Sequence, residues 1–254
     1  MKNKNIRLDA VLKNKYLYSD KMNIFKYLYF MFQSIKGFKK YEKSYSFGAQ
    51  DLIINHFFSN KKDGVYIDVG CYHPIIGSNT FKLFKRGWSG INIDLDFHTI
   101  DFFKFYRKND HNIQIGVSDK KENDIDMYFV HNRSAINSLD KKRIKNATEI
   151  RKINVDTLDN IIENSKFKNK KIDFVSIDVE GFETKVLNGF DLKKYSPSIV
   201  VIEFIDLAMK KIEFYHQDIG RVINSDIYKH MIKNDYSLVN WLHSDLVFTS
   251  NKLR

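Results

Sequence analysis

The sequence predicts an α/β protein built on a doubly wound, mostly parallel sheet of seven strands that ends in an antiparallel hairpin. Three observations carry this. From residue 46 onward, short apolar, β-branched runs alternate with helical stretches. The runs are continuous, as strands buried on both faces are, and do not alternate apolar with polar. The last two runs follow one another almost without a connection, which forces an antiparallel pair.

Val65–Val69, Gly90–Leu95, Ile113–Val117, Ile172–Ile177 and Ser198–Phe204 are the five core strands. Helices are expected at Ala49–Phe58, Thr80–Lys85, Thr99–Lys108, Val155–Glu163 and Thr184–Leu187. Further strands at Asp126–Val130 and Glu149–Asn154 flank a polar loop, His131–Asp140. A helix over Ile223–Asn234 precedes the closing hairpin, Ser237–His243 with Asp245–Ser250. With no repeat or long linker, residues 46–254 read as one domain and residues 1–45 as a helical extension.

At 43% hydrophobic and 15% aromatic, the chain has enough apolar side chain for a sizeable core and is not a disordered chain. The lone Cys71 excludes an internal disulfide and any multi-Cys zinc or iron–sulfur site, and fits a cytoplasmic setting. The net charge of +11 first points to nucleic acid, but +8 of it falls in residues 1–45 and only +3 in the rest. Within the extension, Ile24, Leu28, Met31, Phe32 and Ile35 recur at helical spacing among lysines and tyrosines. The stretch Ile24–Ile35 is too short for a bilayer span of about 20 residues, and no cleavage site follows it. Such a helix can cap the domain, form a homodimer contact, or lie on an anionic membrane at its inner face.

Three constellations carry chemistry. Tyr66-Ile-Asp68-Val-Gly70-Cys71-Tyr72-His73-Pro74 is a buried strand running into a glycine turn, and ligands of open α/β sheets sit at such strand ends. The Gly-x-Gly-x-x-Gly fingerprint is absent, because positions 72 and 75 are Tyr and Ile, which disfavours a pyrophosphate and admits a cofactor such as S-adenosylmethionine. Gly90-Ile-Asn-Ile-Asp94 ends in an acid 24 residues after Gly70, placed to accept hydrogen bonds from ribose hydroxyls; Asp96 competes, and a helix N-cap is the structural alternative. In Ile172-Asp-Phe-Val-Ser-Ile-Asp178-Val-Glu180-Gly-Phe-Glu183 a buried strand delivers two acids to its end, costly unless paired, metal-bound or catalytic.

Asp68-Val-Gly-Cys-Tyr-His-Pro, Ser78-Asn79-Thr80, Gly87-Trp-Ser-Gly-Ile-Asn-Ile-Asp94 and Asp178-Val-Glu-Gly-Phe-Glu183 with Val186-Leu-Asn-Gly189 together resemble the FkbM family of S-adenosylmethionine-dependent methyltransferases. Phe47-Gly-Ala-Gln50-Asp51-Leu52 upstream and Pro197-Ser-Ile-Val-Val-Ile-Glu203 downstream extend the resemblance over residues 46–205, with Cys71 standing where Ala is common. It implies a Rossmann-like class I methyltransferase fold and methyl transfer to oxygen, often a sugar hydroxyl. The acceptor class is then a glycan, such as a bacterial capsular or other surface polysaccharide, or its precursor.

On that resemblance Asp51, Asp68, Gly70, Tyr72, Ser78, Asn79 and Thr80 belong to the cofactor site, Asp94 to the ribose, and Ser118-Asp119 to the adenine edge. Asp178 and Glu180 are expected beside the transferred methyl, holding Mg²⁺ or another divalent cation with Glu203, or taking the hydroxyl proton. In the competing view Asp178 only positions the amino group of the cofactor. His216, in Tyr215-His216-Gln217-Asp218, is the candidate base among the histidines, with His73 and His98 beside the cofactor loops. Arg133, in the loop His131–Ser134, suits an acidic or phosphorylated sugar.

Two other classes compete. A nucleic-acid methyltransferase is disfavoured by the lack of a Pro-Pro loop, the absence of a second Cys for pyrimidine C5 chemistry, and the confinement of positive charge to the extension. A non-catalytic, membrane-tethered scaffold is disfavoured by the intact acids at 68, 94, 178 and 180.

Overall fold

Residues in consecutive positions of the core strands enter two different apolar clusters, which is why these strands read as unbroken hydrophobic runs. Ile67, Val69, Val175, Ile177, Val200 and Ile202 face a cluster closed by Leu158, Ile162, Val186, Leu187, Val222 and Met231. Their neighbours Tyr66, Phe174, Ile199 and Val201 face Ile54, Phe58, Leu83 and Trp88 on the opposite side. In the computed structural model, residues 15, 23–39, 42–131, 134, 137–142, 144, 147–205 and 217–253 are described. The chain divides into two compact units, Met1–Lys43 and Ser44–Arg254, a boundary two residues before the expected one.

In the second unit, helix α2 (Gln50–Phe57) leads into β1 (Val65–Val69), α3 (Phe81–Lys85), β2 (Ser89–Asp94), α4 (Phe97–Tyr106) and β3 (His111–Gln114). Then come β4 (Gly116–Val117), β5 (Glu122–Phe129), β6 (Glu149–Asp156), α5 (Leu158–Glu163), β7 (Phe174–Ile177), α6 (Glu183–Asn188) and α7 (Leu192–Tyr195). β8 (Ile199–Glu203), α8 (Ile219–Asn224), α9 (Asp226–Lys233), β9 (Tyr236–Leu242) and β10 (Asp245–Ser250) complete it. The seven-stranded sheet runs β3-β2-β1-β7-β8-β10-β9. Its first five strands are parallel, and β10 is antiparallel to both β8 and β9. This is the mostly parallel sheet with a closing hairpin that the sequence predicts.

Strand order reverses between β1 and β7, and that switch point opens a crevice at the carboxyl ends of the parallel strands. Because β10 runs the other way, its first residue, Asp245, pairs with the last residue of β8, Glu203, and joins the same edge.

Three elements differ from expectation. The run Ile113–Val117 breaks at Ile115: β3 stays in the main sheet, while β4 pairs with β6 in a separate three-stranded sheet ordered β4-β6-β5. A Cβ on Gly116 would lie 2.6 Å from a Val155 methyl, so this crossing requires glycine. The helix expected over Val155–Glu163 begins only at Leu158, where the Thr157 hydroxyl accepts the Asn160 N–H and caps it. The helix expected over Ile223–Asn234 is two helices, divided where Ser225 caps α9 by accepting the Tyr228 N–H.

The first unit contains α1 (Ile24–Lys39), capped by Asn23, whose side-chain oxygen accepts the Lys26 N–H at 2.9 Å. No helix among the described residues is long and apolar enough to cross a membrane.

Candidate active site

The crevice is a cavity of about 340 Å³, within the ordinary range for small-molecule sites. Its edge is assembled from strand ends: Gly70 to Tyr72 after β1, Asp94 and Leu95 at β2, Asp178 to Glu180 after β7, Glu203 at β8 and Asp245 at β10. Two loops meet at its base. Gly70 has φ of +77°, and a Cβ there would stand 1.6 Å from the Asp178 carbonyl oxygen, so only glycine lets the β1 and β7 ends close together. The Asp178 N–H donates to the Val69 carbonyl at 2.9 Å and ties the same junction.

Asp68 is a buried carboxylate and Asp94 a partly buried one. Desolvation pushes each up to about 6, against hydrogen bonds that pull it down. Asp68 accepts the Thr80 hydroxyl at 2.6 Å. Asp94 accepts the backbone N–H of Tyr72 and of Asp96, both at 2.9 Å, and so fixes the glycine turn to the end of β2. The N-cap of the following helix is Asp96 and not Asp94: Asp96 accepts the His98 N–H and does not line the cavity.

On the other side, one oxygen each of Asp178, Glu180 and Glu203 lie within 4.8 Å of one another. Water reaches Asp178 from the cavity, yet the surrounding protein removes enough solvent to push its carboxyl well above the usual range. The charges of Asp245, Glu180 and Glu183 add to that rise, and a hydrogen bond with Glu203 works against it. Solvent exclusion and the three neighbouring carboxylates thus favour a proton on Asp178, at the centre of the acidic group.

Glu180 stands at φ of +52°, a costly conformation for a residue with a side chain, beside Gly181 at +105°. Buried Glu183 holds that turn by accepting the Val179 and Gly181 N–H groups, and the Ser138 hydroxyl donates to the Glu180 carbonyl. Of the three acids in the Asp-Val-Glu-Gly-Phe-Glu run, two face the cavity and the third builds the turn that presents them.

The structure brings Asp68, Gly70, Tyr72, Ser78, Asn79, Asp94, Asp178, Glu180 and Glu203 to one cavity. It turns six candidates elsewhere. Asp51 accepts the Ser44 hydroxyl and the Tyr45 N–H, because it anchors the chain entering the domain. Thr80 is fully buried between Asp68 and Arg107. Ser118 donates to Asp119, and neither lines the cavity, since the Ser118 carbonyl is packed under Gly189. His73 does not line the cavity, and its Nδ1 accepts the Ile75 and Ile76 N–H groups at 3.0 Å, capping a turn. His98 packs against Phe97, away from the cavity. His216 and Arg133 lie outside the described residues.

Several contributors come together only in the fold. Gln50 donates to Asp245 at 2.6 Å and to the Leu242 carbonyl, across 195 residues of chain. Burial pushes Asp245 up to about 6, against hydrogen bonds from Asn79, Ser244 and Gln50. His243, at φ of +54° in the hairpin turn, is the histidine that lines the cavity among the described residues.

Arg107 is the largest omission. It is fully buried at the end of α4, donates to Thr80, Tyr66 and Asn92 from one nitrogen, and to the Pro74 carbonyl and Ser78 from another. The rings of Tyr66, Phe81, Phe84 and Phe103 surround its guanidinium. Asp110 completes the network through Tyr66 and Asn92. Arg107 thus holds both the Asp68–Thr80 pair and the Pro74–Ser78 loop of the cavity wall. Replacing it by Met is expected to cost about 3–5 kcal/mol of folding free energy, because Asp68 and Asp110 lose their compensating charge. Arg107→Lys should recover only part, since one ammonium cannot replace the fork. Urea unfolding of the three proteins measures this, and wild-type stability in Arg107→Met would contradict it.

The Methyltransferase FkbM domain family model matches residues 68–230, more than half of the chain. No curated protein matches it. The matched region contains the glycine turn, the β2 acid, Arg107 and the paired acids after β7. The chain therefore belongs to the FkbM methyltransferase family.

Proposed function

We propose that this methyltransferase uses S-adenosylmethionine and methylates a sugar hydroxyl of a surface glycan or its precursor, the reacting sugar being uncharged. The observation that carries this is the composition of the cavity. Its described lining includes Asp68, Asp94, Asp178, Glu180, Glu203 and Asp245, with no lysine or arginine among the described residues. That donor set suits a cofactor with sulfonium and ammonium charges. It opposes a pyrophosphate, a phosphorylated sugar or a nucleic-acid backbone; Arg133, which suits an acidic acceptor, lies outside the described residues.

When bound, S-adenosylmethionine would supply a sulfonium methyl, which passes to the acceptor oxygen as the carbon–sulfur bond breaks and S-adenosylhomocysteine leaves. Asp68 and the Gly70 turn would hold its methionine part, and Asp94 has lone pairs left for the ribose hydroxyls beyond its two backbone bonds. Asp178, with Glu203 beside it, takes the proton of the attacking hydroxyl, and Glu180 orients that hydroxyl; most of the remaining acceleration comes from alignment. The same three carboxylates form an all-oxygen set of the kind that holds Mg²⁺.

Three measurements follow. Incubation with unlabelled S-adenosylmethionine and either a neutral or a phosphorylated saccharide should add the mass of one methylene group only to the neutral one; methylation confined to phosphorylated acceptors would overturn the reading. Dialysis against EDTA should leave turnover unchanged, whereas loss restored by Mg²⁺ would reassign the cluster to a metal.

Cofactor affinity should depend on pH with a defined sign. Asp68 and Asp94 are raised to about 6, so the unliganded fold binds these protons more tightly than the unfolded chain does. It therefore loses stability as pH rises from about 4 to 6. A cation binds the ionised carboxylates, so affinity for S-adenosylmethionine should fall as pH drops below about 6, approaching tenfold per unit for each proton involved. Calorimetric titration between pH 5 and 8 reads this, and a pH-independent affinity would contradict it.

A further inference from the structure

Helix α1 exposes the face that a helix of a globular domain ordinarily buries. Ile24, Leu28, Met31 and Ile35 lie along one side at helical spacing, and they are 63, 47, 47 and 48% exposed. Phe25, Tyr27 and Phe32 flank that stripe and are 58, 59 and 61% exposed. Lys26, from the opposite side, is only half-buried and lies 5.7 Å from the Phe30 ring. The helix has no acidic residue, and the 45 residues around it carry a net +8.

We infer that α1 docks on an anionic lipid surface, lying flat in the interface with its Ile24–Leu28–Met31–Ile35 side inward. Charge complementarity selects this occupant. A second copy of the same helix would bring two strongly positive segments together, whereas acidic headgroups neutralise them and the acyl boundary accepts the aliphatic and aromatic side chains. With 16 residues the helix is about 24 Å long, shorter than the hydrocarbon core of about 30 Å, so it lies on the bilayer and does not cross it. The aromatic girdle of Phe25, Tyr27 and Phe32 beside the aliphatic stripe suits the headgroup level.

Flotation of the full chain with vesicles tests this directly. The protein should float with mixed phosphatidylglycerol–phosphatidylcholine vesicles and stay behind with phosphatidylcholine alone, and added salt should weaken the association. Leu28→Glu with Phe32→Glu should lower partitioning on the order of tenfold or more, with the thermal transition of the catalytic unit unmoved. Lys26→Glu with Lys36→Glu, which keeps the apolar side, should weaken binding to the anionic vesicles as well. No flotation, equal flotation with both vesicle types, or a concentration-dependent dimer abolished by the Leu28 and Phe32 changes would each overturn the assignment.

Discussion

The contact on which the site depends is the approach of Gly70 to the Asp178 carbonyl. At that point the turn after β1, which follows Asp68, meets the turn after β7, which carries Asp178 and Glu180. Any side chain at position 70 would push the two apart, because its first carbon would fall inside the carbonyl oxygen. The backbone bond from Asp178 to Val69 fixes the same distance from the other direction. Everything chemical follows from this closure: two groups of carboxylates, each held by its own hydrogen bonds, face one another across one cavity.

Gathering so many acids in a confined volume is unfavourable unless each has a local reason to stay. Asp94 has two backbone N–H donors, Asp245 has Gln50, Asn79 and Ser244, and Asp68 has Thr80 backed by Arg107. Asp178, among Asp245, Glu180 and Glu183, answers the crowding with a raised proton affinity. These arrangements preserve the negative character of the pocket in the absence of ligand, at the cost of raised proton affinity. They tie stability, cofactor affinity and catalysis to the same carboxylates.

Much of this was legible in the sequence, and what was not has identifiable causes. Strands buried on both faces announce themselves as unbroken apolar runs, and a carboxylate at the end of such a run is conspicuous because burying it is costly, so Asp68, Asp94, Asp178 and Glu180 could be picked out. Arg107 could not, since between Lys104 and Lys108 it looks like one more solvated cation; only the tertiary fold reveals the four rings around it. Gln50, His243 and Asp245 come from opposite ends of the chain, and no local spacing links them. The break at Ile115 depended on a partner strand some forty residues later, and the split at Ser225 on a cap that competes with helix continuity. Asp51 illustrates the reverse error, a motif acid whose partners, Ser44 and Tyr45, are purely structural.

The division of labour across the cavity is the central claim: the β1 and β2 acids hold the cofactor, and the β7–β8 carboxylates act on the acceptor. Asp178→Asn tests it most directly, because the amide keeps the shape of the side chain while removing its capacity to take a proton. Turnover with a methylatable acceptor should fall by roughly 10²–10⁴-fold, while the dissociation constant for S-adenosylmethionine, measured on the same protein by calorimetry, stays near the wild-type value. Full turnover in that variant, or a loss of cofactor affinity large enough to account for the lost rate, would contradict the account and place Asp178 among the cofactor-holding groups.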